Sequence, residues 1–207
     1  MNDLFQPVRD FETRMADYTG FNYGVAVESC SAALFLCCLY KQVARQNAIE
    51  IPANTYVSVP AGINNAGGRV KFYHDDGAWQ ETGYYQLGNT GIWDCARYLE
   101  RGMGDTFRSK DLICVSFHRR KALPIGRGGM VLTYDKEAVE WLTCMRHDGR
   151  HDKTPEREDE ITVVGWNFLL TPEQASRGIG LMGNLKDKNP IEFQEYPDQS
   201  QWKMWRR

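Results

Sequence analysis

The 207-residue chain is 42% hydrophobic, 25% charged and 12% aromatic, a globular composition that excludes disorder, collagen and fibre and, at about 100–200 residues per domain, fits one domain or two small ones. With 25 Lys+Arg against 27 Asp+Glu the formal charge is -2, so there is no bulk attraction to nucleic acid or an anionic membrane, and any bound anion needs a local site. The longest nearly uninterrupted apolar run, Ala32 to Tyr40, falls short of the roughly 20 residues that span a bilayer, and no charged-then-apolar signal opens the chain. A cytoplasmic protein with no membrane or nucleic-acid partner is expected.

Phe11, Met15 and Tyr18 follow a helical period that stops at Gly20, and Tyr23 to Val27 then reads as a strand. From Ser31 the sequence AALFLCCLYKQVA is apolar nearly all round, which on a helix means burial on most sides; Ser29 or Ser31 would cap it. Short extended segments follow at Glu50-Ile51, Arg69 to Tyr73, Ile92 to Asp94 and Leu112 to Phe117, with a helix from Tyr56 to Ala66. A turn-rich bridge, HRRKALPIGRG, leads to a strand at Gly129 to Thr133 and a helix at Lys136 to Arg146. His151 to Glu160 is crowded with charge and contains Pro155, the composition of a solvated, mobile loop. Thr171-Pro172-Glu173-Gln174 supplies a cap, a proline at the first helical position and a glutamine three residues after the cap, a helix start. The tail from Lys186 has no period. Strands alternating with helices predict an α/β layered sheet.

The cysteines (Cys30, Cys37, Cys38, Cys95, Cys114, Cys144) lack C-x-x-C spacing and mostly sit in apolar stretches, where a thiol behaves as a small hydrophobe. Reduced core residues are expected, with neither a disulfide framework nor a metal site. His147 and His151 have i, i+4 spacing but straddle Gly149, a weak metal signal.

Several segments, in chain order, resemble the DegT/DnrJ/EryC1/StrS family of sugar aminotransferases. Ser116-Phe117-His118-Arg119-Arg120-Lys121-Ala122-Leu123 followed by Gly126-Arg127-Gly128-Gly129 is similar to that family's SFHxxKxL…GxGG segment. Phe11-Glu12…Tyr18-Thr19-Gly20, Ser29-Cys30-Ser31-Ala32-Ala33-Leu34, Ile51 to Tyr56, Asp94-Cys95-Ala96 and Gly165-Trp166-Asn167-Phe168…Thr171…Gln174-Ala175 resemble its other motifs. The resemblance implies pyridoxal 5'-phosphate on a fold-type-I scaffold. The expected fold is a reduced three-layer α/β/α sandwich with a mixed, mostly parallel sheet, residues 1–207 forming a single cofactor-binding domain without the family's small C-terminal domain.

Residue chemistry stands beside the resemblance. An aldehyde cofactor needs an amine that can be neutral near pH 7, and a lysine desolvated among cations, here Arg119, Arg120 and Arg127, has its pKa lowered toward that range. Lys121 is therefore the candidate Schiff-base residue, carrying the cofactor as an aldimine. Asp94 ends an apolar strand, where a protonated pyridine nitrogen would resolve the cost of a buried carboxylate; from spacing alone a turn or cap aspartate is the other reading. The resemblance makes Tyr56 the aromatic that stacks on the cofactor ring, though a core tyrosine fits its sequence position equally. The N-terminus of the helix near Ser31 offers free N–H groups and positive potential for a phosphate, so Cys30, Ser31 and Ser116 are expected to form its cup. By resemblance Asn167 reaches the phosphate of a neighbouring subunit, implying a homodimer with shared sites, while alone it reads as a loop residue.

The sequence departs from the family at single positions. Cys30 stands for the phosphate-loop glycine, Arg97 for a glutamine near the cofactor hydroxyl, Trp93 for an acidic residue and Leu169 for the arginine of GYNYR. Only DGAWQETGYYQLGNTGIW stands where the family has a strand, a helix and another strand, so a smaller sheet is expected. The retained lysine, in place of the histidine of the family's dehydratase branch, favours transamination. The implied reaction moves an amino group from an amino acid, glutamate by resemblance, to a nucleotide-linked keto sugar. A cofactor-binding or structural remnant that completes another polypeptide is the alternative. The basic pairs Arg119-Arg120 and Arg206-Arg207 are all that favours a nucleic-acid binder.

Overall fold

The computed structural model describes residues 3–152, 154–155, 157–191 and 194–205. Lys153 and Glu156 of the charged loop and Arg206 and Arg207 of the basic tail therefore lie outside the described residues. Along the chain run α1 (Gln6–Thr19), β1 (Tyr23–Val27), α2 (Cys30–Tyr40), β2 (Ile49–Pro52), α3 (Ser58–Asn65), β3 (Val70–Tyr73), α4 (Ala78–Thr82), β4 (Tyr85–Gln86) and β5 (Ile92–Asp94). Then come β6 (Leu112–Ser116), β7 (Gly129–Thr133), α5 (Lys136–Met145) and α6 (Pro172–Leu181).

Five strands form one sheet in the order β1-β7-β6-β5-β4, and β2 and β3 pair in parallel apart from it. Helices cover both faces, as expected for a three-layer sandwich. Alternate strand residues separate the two cores: Val25, Ile92, Leu112, Cys114 and Val131 face α2, α3 and α5, whereas Ala26, Ile113, Val115, Met130 and Leu132 face α1 and α6. Period-2 burial of this kind fixes the register, because a slip by one residue would turn each strand inside out.

The sheet is mixed, yet parallel pairing does not dominate it. Within the five-stranded sheet only β5–β6 is parallel; β1–β7, β6–β7 and β4–β5 are antiparallel. For the β4–β5 pair the physical reason lies in the short segment between β3 and β5. It forms only the five-residue α4 and the two-residue β4, which returns antiparallel beside β5 and leaves β2–β3 as a separate pair.

Local chemistry sets the element ends. Helix α1 starts five residues before the first periodic position, with Pro7 in its first turn, and closes on Gly20 at φ 80°, a left-handed conformation that costs glycine little. Ser29, not Ser31, caps α2, its hydroxyl accepting from Ala32 N–H at 3.1 Å. Helix α3 begins at Ser58, two residues later than Tyr56; ahead of it the Thr55 hydroxyl meets the Tyr85 hydroxyl at 2.5 Å and the Thr55 carbonyl accepts from the Gln199 side chain. Thr171 and Gln174 form the reciprocal capping box expected at α6. All six cysteines are free thiols and five are buried. No helix among the described residues is long and apolar enough to cross a membrane.

One buried ion pair ties the layers. Glu12 of α1 accepts from Ala26 N–H of β1 at 2.8 Å and pairs with Arg146 at the end of α5, which also donates to the Ala26 carbonyl. The side chains are 13% and 8% exposed. Arg146→Met would strand the carboxylate and should lower the unfolding free energy by about 3–5 kcal/mol, read from urea denaturation; a loss below about 1 kcal/mol would show that water replaces the guanidinium.

Candidate active site

The carboxyl ends of β5 and β6, the first turn of α2 and the bridge before β7 converge on a cavity of about 350 Å³. Cys30, Ser31, Tyr56, Asp94, Ser116 and Lys121, read from the sequence as site residues, all line it. Helix geometry leaves the first-turn N–H groups of α2 without intrahelical partners at this wall. Ser31 and Ser58 join their hydroxyls at 2.7 Å, and the Ser116 hydroxyl accepts from His118 N–H at 3.4 Å. Arg120, Lys121 and Arg127 contribute cationic lining, and Asp94 is the one acid among the described lining residues. An anionic group is the natural guest at such a wall.

Asp94 is 6% exposed. Its Oδ1 accepts from Ala96 N–H at 2.9 Å and its Oδ2 from the Tyr85 hydroxyl at 3.2 Å. Burial pushes its carboxyl above the usual aspartate range, against the opposing pull of those two hydrogen bonds and of Lys121 and Arg97. Burial likewise raises the Cys30 thiol, with Asp94 adding to the effect, so Cys30 stays neutral and offers its backbone rather than a thiolate. His118 is lowered, first by burial and then by Arg119, Arg120 and Lys121.

Two further expected residues lie outside this lining. Arg97 is buried at a second cavity of about 320 Å³ that shares Ala96, Ser116, Arg120 and Lys121 with the first. Its guanidinium lies 5.4 Å from the centre of the Trp79 ring and acts on Asp94. Asn167 is exposed, bridges His147 through its backbone and is not part of the cavity lining.

Sequence reasoning missed Ser58, Tyr85 and Tyr196. Arg127, expected among the cations near Lys121, lines the cavity and pairs with Glu28 at 2.8 Å. Tyr85 and Tyr196 carry no local signal, since they arrive from the shortened segment and from the aperiodic tail.

A model of the DegT/DnrJ/EryC1/StrS aminotransferase family matches residues 3–78 and 95–190. The chain belongs to this family. Asp94 falls one residue before the second matched segment, so its equivalence rests on its position at the end of β5. GDP-perosamine synthase of Caulobacter vibrioides is 23% identical over 213 residues, an alignment covering 86% of this chain and 57% of that protein. The sugar aminotransferase CalS13 from Micromonospora echinospora superposes with a TM-score of 0.71 at 17% identity over 86% of this chain and 60% of that one. Helicobacter pylori PseC, an aminotransferase of pseudoaminic acid biosynthesis, gives 0.63 at 18% identity over 86% and 57%. The chain thus spans less than two thirds of the length of these relatives, and the structural likeness at such identity is one of fold.

Asp94→Asn keeps the shape and removes the buried charge. A carboxyl raised in the folded state binds its proton more tightly there than in the unfolded chain, so stability falls as pH rises from the unfolded value through the folded one. The variant should therefore gain melting temperature relative to the parent as pH rises from 4 to 8; a constant difference would place the carboxylate in a solvated environment.

Proposed function

We propose that this chain is the pyridoxal-phosphate-binding body of an aminotransferase, a single domain over residues 1–207, that moves an amino group from an amino acid to a nucleotide-linked keto sugar. The observation that carries the proposal is the meeting of Lys121, Asp94, Ser116 and the first turn of α2 around one cavity. Its size lies in the range of about 300–1,000 Å³ usual for small-molecule sites. The donor set fits the cofactor at both ends: a buried carboxyl suits a protonated ring nitrogen, and a helix N-terminus with Ser31, Ser58 and Ser116 suits a phosphate.

Pyridoxal phosphate supplies an electron sink when bound. Asp94 holds a proton at the ring nitrogen, which keeps that sink strong. Lys121 is the one lysine among the described lining residues, and its Nζ takes the proton from the α-carbon of the donor. Tyr56, half exposed at the rim, would hold the ring by stacking. Glutamate is the donor suggested by the family, and the GDP-perosamine synthase relative supports a nucleotide-linked acceptor. The exposed position of Asn167 supports a role toward a partner subunit in a cytoplasmic homodimer, since it contributes nothing to its own cavity.

A second reading is that the chain binds cofactor while another polypeptide supplies substrate contacts. Added pyridoxal phosphate should give a yellow protein, and borohydride followed by peptide mapping should place the pyridoxyl group on Lys121; a colourless protein that takes up no cofactor overturns the assignment. Release of 2-oxoglutarate from glutamate with nucleotide-linked keto sugars separates the two readings, because cofactor binding without turnover supports the second. Ser116→Ala should weaken cofactor binding by about 1–3 kcal/mol in an absorbance titration, the loss of a hydrogen bond to a charged group.

A further inference from the structure

Beyond residue 190, where the family match ends, the chain returns to the cavity. The approach is held by Asn189, whose side-chain amide donates to the Leu99 carbonyl at 2.7 Å and the Tyr18 hydroxyl at 2.9 Å. The far end is held by Gln199, which is 1% exposed, donates its N–H to the Ala53 carbonyl at 2.9 Å and reaches the Thr55 carbonyl with its side chain. Beside it Asp198 accepts from Ser200 N–H at 2.8 Å and pairs with His74 at 3.1 Å, on the surface. Between these anchors Tyr196 lines the cavity with Asp94 and Lys121.

The Tyr196 ring lies 6.1 Å from the Trp79 ring, stacked at 15°, and 5.9 Å from Tyr56, tilted at 59°. Its hydroxyl donates to the nearby Gln194 side chain at 3.1 Å. Burial, with Asp94 next, pushes the phenol up to about 12, so the ring is neutral throughout the physiological range. The tyrosine is thus seated by aromatic contacts, on a segment without regular secondary structure, and fastened at its two ends by polar groups. Trp79 and Tyr56 belong to different parts of the chain, and Tyr196 joins them into one aromatic wall facing the buried carboxyl.

We propose that Tyr196 is a positioning residue of the binding cavity: the tail carries an aromatic wall that retains a planar, phosphate-bearing heteroaromatic ligand and must lift for that ligand to exchange. The inference rests on the reading of the cavity as a pyridoxal phosphate site. A wall borne by the tail differs from one borne by the sheet in that loosening a remote anchor loosens the ligand.

The test measures release of pyridoxal phosphate from the full-length protein by absorbance after dilution, with amide exchange of residues 194–199 measured before and after loading. Tyr196→Ala should speed release about three- to tenfold, the scale of a lost aromatic contact, while Tyr196→Phe, which keeps the ring, should stay within twofold of the parent. Asp198→Asn, an exposed substitution away from the cavity, should also speed release and should raise exchange across the tail in the free protein. Loading should protect residues 194–199 in the parent. Parental release rates in both Tyr196→Ala and Asp198→Asn overturn the inference alone, as does a Phe variant that behaves like the Ala variant. Failure of the parent to bind pyridoxal phosphate at all overturns the cavity reading, and the wall with it.

Discussion

The approach of β7 to the first turn of α2 is the constraint on which the rest of the site depends. A Cβ added at Gly129 would lie 2.4 Å from Cys30 N and 2.5 Å from the Ser29 carbonyl carbon, inside hard-sphere limits. Only a glycine lets the strand and the helix terminus meet at that distance. Because β7 pairs with β6 through Gly129 and Ser116, the same contact brings Ser116, Ser31 and the cationic bridge between the strands to one cavity wall. Ser29 adds to this by capping α2 and leaving the first turn directed toward the cavity wall.

Asp94 illustrates how such a site opposes stability. Burial raises the ionisation thresholds of Asp94, Cys30, Cys95 and Tyr85, and the Asp94 carboxylate raises those of the other three further, so every group in that cluster is shifted toward its neutral form. Burying a charge without a full partner is unfavourable unless a ligand supplies the partner. The hydroxyl chain from Thr55 through Tyr85 to Asp94 provides partial compensation. It also links the start of α3 to the floor of the cavity, so the local order of that helix and the orientation of the carboxyl are coupled.

Much of the fold was legible because the governing signals are short-range. The strands at Tyr23–Val27, Ile92–Asp94 and Gly129–Thr133 coincide with the segments expected from apolar pattern, and the Thr171 capping box is a four-residue code read directly. The cavity set around Lys121 was legible for a related reason: each member lies in a contiguous motif. What escaped depends on distant partners. The antiparallel pairing of β7 with β1 and β6, the anchoring of Thr55 by Tyr85 and Gln199, and the contact of Arg97 with the Trp79 ring each join residues that no local pattern links. The tail, which has no period in the sequence, is held against the cavity by Gln199 and Tyr196.

The sheet order carries a consequence for how the chain acquires its structure. Strand β1 is made early, but its partner is β7, with Val27 opposite Gly129, about a hundred residues later. During synthesis β1 and α2 therefore emerge with their apolar faces uncovered and wait for the middle of the sheet. Closing so large a loop costs entropy before any contact repays it, which slows folding and exposes the nascent chain to aggregation. Tyr196 leaves the ribosome later still than any other residue of the cavity wall, so the ligand chamber is finished only after the layers around it have assembled.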